Sequence, residues 1–268
     1  MWSIEILLPL IVAGLSAGFI AGLLGLGGGT VIVPIMLWFL ARLDVGGVYT
    51  QHLALGTSFA VMIFTTLMSA WSQHKRGAVN WHIVKYLSPA MIVGSLLGAW
   101  LTQFLPMMFL QIFFIGFLYA MSAQMLLKLK PKPTRQLPQP AGLFGSGSLI
   151  GMLSSWAGVG GGALSVPFMT YCNVPIHVAI GTSAALAWGL SFSGVVGYIW
   201  SGWSVAGLPD GAWGFVYAPV VLILAACTMS MAPLGVKVAH KLPADKLKIA
   251  MGIFLFLIAS QMAWKLLA

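Results

Sequence analysis

Twice in this chain three consecutive glycines interrupt an apolar run: Gly25-Leu26-Gly27-Gly28-Gly29-Thr30-Val31-Ile32-Val33-Pro34 and Gly158-Val159-Gly160-Gly161-Gly162-Ala163-Leu164-Ser165-Val166-Pro167. Glycine weakens a helix interior more than any residue but proline and leaves backbone groups open to other partners. Each copy therefore reads as a break in a helix. The apolar runs along the chain are about twenty residues long, the length that crosses a bilayer. Non-helical backbone persists at membrane depth only where it is buried in protein or lines a polar cavity, so the two breaks are where function is expected.

Composition supports the membrane setting. Of 268 residues, 60% are hydrophobic and 6% charged, against about 25% charged in soluble domains. The alternation of a transmembrane barrel is absent, which leaves an all-α polytopic membrane protein. The net charge of +9 does not point to nucleic acid, because the Lys and Arg residues sit at the ends of apolar runs, as in membrane loops. Cys172 and Cys227 lie in apolar runs without metal-site or disulfide spacing. Met1 to Glu5 lacks a basic n-region, so the first run is expected to stay as a membrane segment.

In chain order, residues 4–25 form a span carrying Gly14, Gly18 and Gly22, a stripe suited to close helix packing. Residues 30–41 are apolar but too short to cross alone, a half-helix or re-entrant leg. A span from about Tyr49 to Trp71 contains His52-Leu53-Ala54-Leu55-Gly56-Thr57-Ser58 and ends in the cytoplasmic signature His74-Lys75-Arg76. Spans near 83–102, with a Gly94/Gly98 packing face, and 107–128 follow. Residues 129–140, rich in Lys and Pro, read as a stiff cytoplasmic linker between an N-terminal transmembrane repeat (1–128) and a C-terminal one (141–268).

The second half echoes the first. Gly18, Gly25, Gly27 to Gly29, Val33, Pro34 and Met36 match Gly151, Gly158, Gly160 to Gly162, Val166, Pro167 and Met169 at one offset. His52-x-Ala54-x-Gly56-Thr57-Ser58 matches His177-x-Ala179-x-Gly181-Thr182-Ser183. Leu105-Pro106 and Gln124-Met125 have counterparts in Leu242-Pro243 and Gln261-Met262, an internal duplication. Loop charge is swapped between the halves: Lys75 and Arg76 face the uncharged-to-acidic stretch 201–212 with Asp210, and the uncharged turn 102–106 faces one flanked by Lys237, Lys241, Lys246 and Lys248. This predicts two inverted repeats of about five segments each, with glycine-broken or re-entrant helices and both termini outside.

Inverted repeats with broken helices form transporters, with substrate at the midplane where the breaks meet. Half-helices starting near Thr30 and Ala163 offer free N–H groups and partial positive charge, which favour an anion. The expected substrate-binding residues are Gly27, Gly28, Gly29 and Thr30, their counterparts Gly160, Gly161 and Gly162, and the hydroxyls of Thr57, Ser58, Thr182 and Ser183, although such hydroxyls also bond back to their own helices. His52 and His177 can donate to an anion or carry a proton, or be helix-start residues. Trp156 and Trp188 are placed to wall the cavity or to pack the core. Gln124 and Gln261 read as polar glue between helices rather than distal ligands, and the Met residues as apolar filler. Glu5, Asp44, Asp210 and Asp245 all fall near segment ends, so cation transport lacks its usual ligand.

No catalytic constellation is visible: His52 with Ser58 has no third orienting group, and Gly25-x-Gly27-Gly28 lacks the strand of a nucleotide site. No cofactor or metal is expected. The paired glycine blocks ending in Val33-Pro34 and Val166-Pro167, with the paired Ala-x-Gly-Thr-Ser elements, resemble the TauE/SafE sulfite exporters, also called the 4-toluene sulfonate uptake permeases. That resemblance implies a multi-pass permease of the bacterial inner membrane for a small sulfur-containing anion such as sulfite, thiosulfate or an organosulfonate. A carboxylate permease, or a cation or metal permease, is the alternative. The expected partners are the small anion and the lipid bilayer, with no nucleic acid and with a homo-oligomer left open.

Overall fold

The structure, a computed structural model, describes residues 4–24, 27–127, 138, 140–239 and 244–267. The expected linker, 129–140, lies almost wholly outside the described residues, as do Gly25, His240, Lys241 and Leu242-Pro243.

Among the described residues there are ten α-helices: α1 (Ile4–Leu24), α2 (Gly29–Arg42), α3 (Thr50–Lys75), α4 (Trp81–Thr102), α5 (Met107–Leu126), α6 (Pro140–Ala157), α7 (Gly162–Tyr171), α8 (Ile176–Gly202), α9 (Ala218–Ala239) and α10 (Ala244–Leu267). Five of them, α3, α4, α5, α8 and α9, are long and apolar enough to cross a membrane, and apolar helical stretches also cover Leu7–Leu23, Gly29–Arg42 and Gly252–Trp264. The chain is an all-α polytopic membrane protein. The half-helices start at Gly29 and Gly162, one residue before the positions expected from the sequence.

The first five helices and the second five share one order, in which the second member is short, and their packing is reciprocal. α1 lies beside α9, running the same way: a Cβ on Gly14 would meet Leu224 and Cys227, one on Gly18 the backbone of Thr228, one on Gly22 the carbonyl of Ala232. α4 and α6 repeat this arrangement, with Gly94 against Ser148 and Gly98 against Met152 and Ser155. The small-residue stripes thus let backbones touch where lipid supplies no hydrophobic drive. Gly22→Val is expected to lower stability by about 1–3 kcal/mol through overpacking against that carbonyl, read as a lower melting temperature of the purified protein.

The centre is the pair α3 and α8. Gly194, in the second half of α8, packs on Phe59, in the first half of α3, and Gly181, in the first turns of α8, packs on Ala78 just past the end of α3, so these helices are antiparallel. α5 and α10 are antiparallel too, with Ser122 Oγ donating to the Gly252 carbonyl (2.7 Å) and Tyr119 beside Ser260. α9 runs with α3, bonded at Thr57 and Thr65 to Tyr217 and Thr228, and α4 runs with α8, with Ser88 near Gly189 and Ala99 near Gly197.

One feature was not anticipated. The stretch between α8 and α9 turns through a short hairpin, β1 (Ala212–Trp213) and β2 (Val216–Tyr217). It carries Phe215 inward to a position 1% exposed, and the Phe215 N–H donates to the Tyr198 carbonyl at 3.1 Å.

Candidate functional site

The two glycine breaks touch. A Cβ on Gly27 would stand 2.9 Å from Gly160 Cα, and one on Gly29 would strike the Gly158 carbonyl and lie 2.9 Å from Val159 Cα. All these residues are buried. Gly27, Gly28, Gly158 and Gly161 hold φ between 60° and 85°, the left-handed region that glycine enters without a Cβ penalty. The contact lies near the middles of α3, α4 and α8: Met62 Sδ stands 3.4 Å from the Gly27 Cβ position, and Met91 and Leu190 stand beside that of Gly161.

Gly28 and Gly161 cap α2 and α7 without a side-chain hydrogen bond, so first-turn N–H groups of both half-helices face the breaks with partial positive charge. Three buried hydroxyls of α6, α7 and α2 near this junction, those of Ser154, Ser165 and Thr30, have no hydrogen-bond partner. Buried polar groups are normally paired, so each unpaired one asks for a cause.

The remaining expected site residues are dispersed. Ser58 is brought to the junction, but its Oγ donates to the Leu55 carbonyl (2.7 Å) and to the Gly158 carbonyl (3.2 Å). Thr57 Oγ1 accepts the Tyr217 N–H at 2.9 Å, and Thr182 Oγ1 accepts the Asn80 N–H at 2.9 Å. The neighbouring glycines complete the pattern, since Gly56 admits the Phe215 carbonyl and Gly181 the Ala78 carbonyl. Each Gly-Thr pair therefore seats the residues leading into α9 or α4, with a carbonyl on the glycine and an N–H on the threonine. Ser183 Oγ donates to its own helix at Ile180.

His52 is buried near the start of α3, with Nε2–H donating to the Thr102 carbonyl at 3.0 Å and the ring against Phe215. That bond leaves Nδ1 unpartnered. Its counterpart His177 is exposed at the start of α8, so the two histidines are not equivalent. Trp156 donates Nε1–H to the Gly98 carbonyl (3.0 Å) and meets Phe109 and Phe113 edge-on, tying α6 to α4 and α5. Trp188 is 44% exposed on α8. No cluster of three or more metal-ligating side chains exists among the described residues.

A cavity of about 680 Å³ opens between α1, α2, α5 and α10. It reaches from Asp44 and Gly47, in the α2–α3 connection, to Val31 and Pro34 in the first turns of α2, with Gln111 and Gln261 on its wall. Gln261 thus lines open space, where a role in gluing helices was expected. Sequence reasoning passed over Ser154 and Ser165, whose counterparts Ala21 and Ile32 are apolar. The Ser154-Ser155 pair just before a break was the available signal.

The family model described as "Sulfite exporter TauE/SafE" matches residues 10–262. A probable membrane transporter protein of Haemophilus influenzae is 37% identical over 261 residues, covering 97% of this chain and 98% of that one. The probable membrane transporter protein YunE of Bacillus subtilis is 30% identical over 228 residues, covering 76% and 84%, and YdhB of the same organism 30% over 241 residues, covering 87% and 90%. No solved structure matches the chain. With a family model spanning almost all of its length and full-length relatives that are transporters by name, this multi-pass membrane protein belongs to the TauE/SafE sulfite exporter family of membrane transporters.

Proposed function

We propose that this transporter carries a small sulfur-containing anion, such as sulfite, thiosulfate or an organosulfonate, across the bacterial inner membrane by alternating access. The observation that carries the reading is the meeting of the two glycine breaks near mid-depth, where uncapped half-helix N-termini and unpaired buried hydroxyls share one junction. Helix N-termini are ready anion sites, and hydroxyls donate without placing a full charge in the membrane. These groups suit any small oxyanion; the family description supports one that contains sulfur.

The inverted-repeat reading is supported by direction. α3 and α8 are antiparallel, as are α5 and α10, and α1 and α6 follow through their partners α9 and α4. Orientation is supported by charge: exposed Lys75, Arg76, Lys85 and Lys237 sit at one end, where α3 and α9 finish and α4 starts. That end is read as cytoplasmic, with both chain termini on the other side. The cavity that runs from Asp44 to Val31 is then an outer vestibule beside the α2 break. His52, buried with a free Nδ1, is the candidate for proton coupling.

Cation transport is disfavoured because Asp44 and Asp210 lie exposed outside the helices, and Glu5 and Asp245 stand in the first turns of α1 and α10, at the ends of their segments. The test is thermal stabilisation of detergent-purified protein by sulfite, thiosulfate, sulfate, short organosulfonates, carboxylates and divalent metals at two pH values. Ligand at a hundred times its Kd adds about 2.7 kcal/mol to the native state. A rise in melting temperature with a sulfur oxyanion or sulfonate is expected; a response to metals or carboxylates alone would overturn the sulfur reading.

A further inference from the structure

The two breaks have like backbones and unlike side chains. Gly28 and Gly161 are both left-handed N-caps, at φ 85° and 75°. Beside Gly28 stands the Ala21 methyl, 3.0 Å from the Cβ position. At the matching place beside Gly161 stands Ser154, its Oγ 3.8 Å from the Cβ position. Ser154 is 1% exposed and its hydroxyl has no partner.

That absence is unusual for a helical serine, which ordinarily donates to a carbonyl one turn back. Ser155 does so to Met152 (2.8 Å) and Ser191 to Ala187 (2.7 Å), while the Ser154 hydroxyl stands beside the uncapped start of α7. The other two unpaired hydroxyls near the breaks, Thr30 and Ser165, also lack hydroxyl counterparts, since Ala163 and Ile32 occupy the matching positions. Two of the three belong to the second half. Over Gly161 the space is closed by apolar side chains, with Met91 Cε 2.6 Å and Leu190 Cδ1 3.2 Å from the Cβ position. The flexible thioether end of Met91 is the part that can turn aside.

We propose that the anion binds at one break only: a single site per chain at the N-terminus of α7, formed by the first-turn N–H groups of Gly162 and Ala163 and by the Ser154 hydroxyl, with Met91 as the side chain that yields to admit it. The α2 break, with Ala21 in the equivalent place, is its packing partner rather than a second site. This inference rests on the anion reading above and goes further by making the halves chemically unequal.

The experiment is calorimetric titration of the purified protein with whichever of sulfite, thiosulfate or methanesulfonate stabilises it, comparing wild type with S154A, A21S and T30V. The wild type is expected to bind one anion per chain. S154A should weaken binding at least tenfold and keep its anion-free melting temperature, since the deleted hydroxyl made no bond within the protein; A21S should bind as wild type. Two anions per chain, unchanged affinity in S154A, or a tenfold loss in T30V with none in S154A would overturn the inference while leaving the anion reading intact. Failure of the wild type to bind any of the three anions would overturn both.

Discussion

Gly29→Ala is expected to abolish transport and to cut the yield of folded protein. The added Cβ would strike the Gly158 carbonyl and stand 2.9 Å from both the Gly158 carbonyl carbon and Val159 Cα, so no flexible side chain can absorb it. Overpacking ordinarily costs about 1–3 kcal/mol, and a clash of backbone on backbone belongs at about the upper end or beyond. The breaks would have to part, and with them the junction on which the proposed site depends. Gly116→Ala is the control: nothing lies within 4 Å of its Cβ position, and in a helix alanine is better than glycine by about 1 kcal/mol. Uptake into proteoliposomes and the melting temperature of both variants check the pair. Normal uptake by G29A would remove the break contact from the mechanism.

The helices were legible because their signals are local. Run length, glycine triplets and terminal charges placed α1 to α5 within a few residues, and the stripe Gly14, Gly18, Gly22 announced a close helix contact that α9 makes. The hairpin was not legible. Pro209, Asp210 and Gly211 signal a turn, but the inward course of Phe215 depends on Gly56, Gly202 and Tyr198, all distant in sequence or on another helix. The Gly-Thr-Ser elements read as ligand donors because their hydroxyls can reach an anion without a full charge. What they visibly share is the seating of a backbone segment from the opposite half, and a hydroxyl motif does not reveal its acceptor. Ser154 was missed for a different reason: a search led by repetition overlooks the residue at which the repeats differ.

The seating role gives the second large effect. Thr57→Val keeps shape and removes the acceptor of the Tyr217 N–H, which is buried. Leaving such a donor unpaired costs about 1–3 kcal/mol, so T57V should melt well below wild type while T57S melts near it. Thr182→Val removes the acceptor of the Asn80 N–H, but Asn80 is exposed and water can take the place of the hydroxyl, so the smaller loss is expected there. Tyr198, which packs beside Gly56, is 16 residues from Thr182 along α8, or about 24 Å at 1.5 Å per residue, so the losses should add in the double variant. Because both threonine hydroxyls accept from residues that lead into α9 and α4, affinity for the proposed anion should stay within about threefold of wild type, roughly 0.6 kcal/mol, in each single variant. Loss of affinity in T57V at unchanged melting temperature would instead make Thr57 a ligand and move the binding site toward the hairpin.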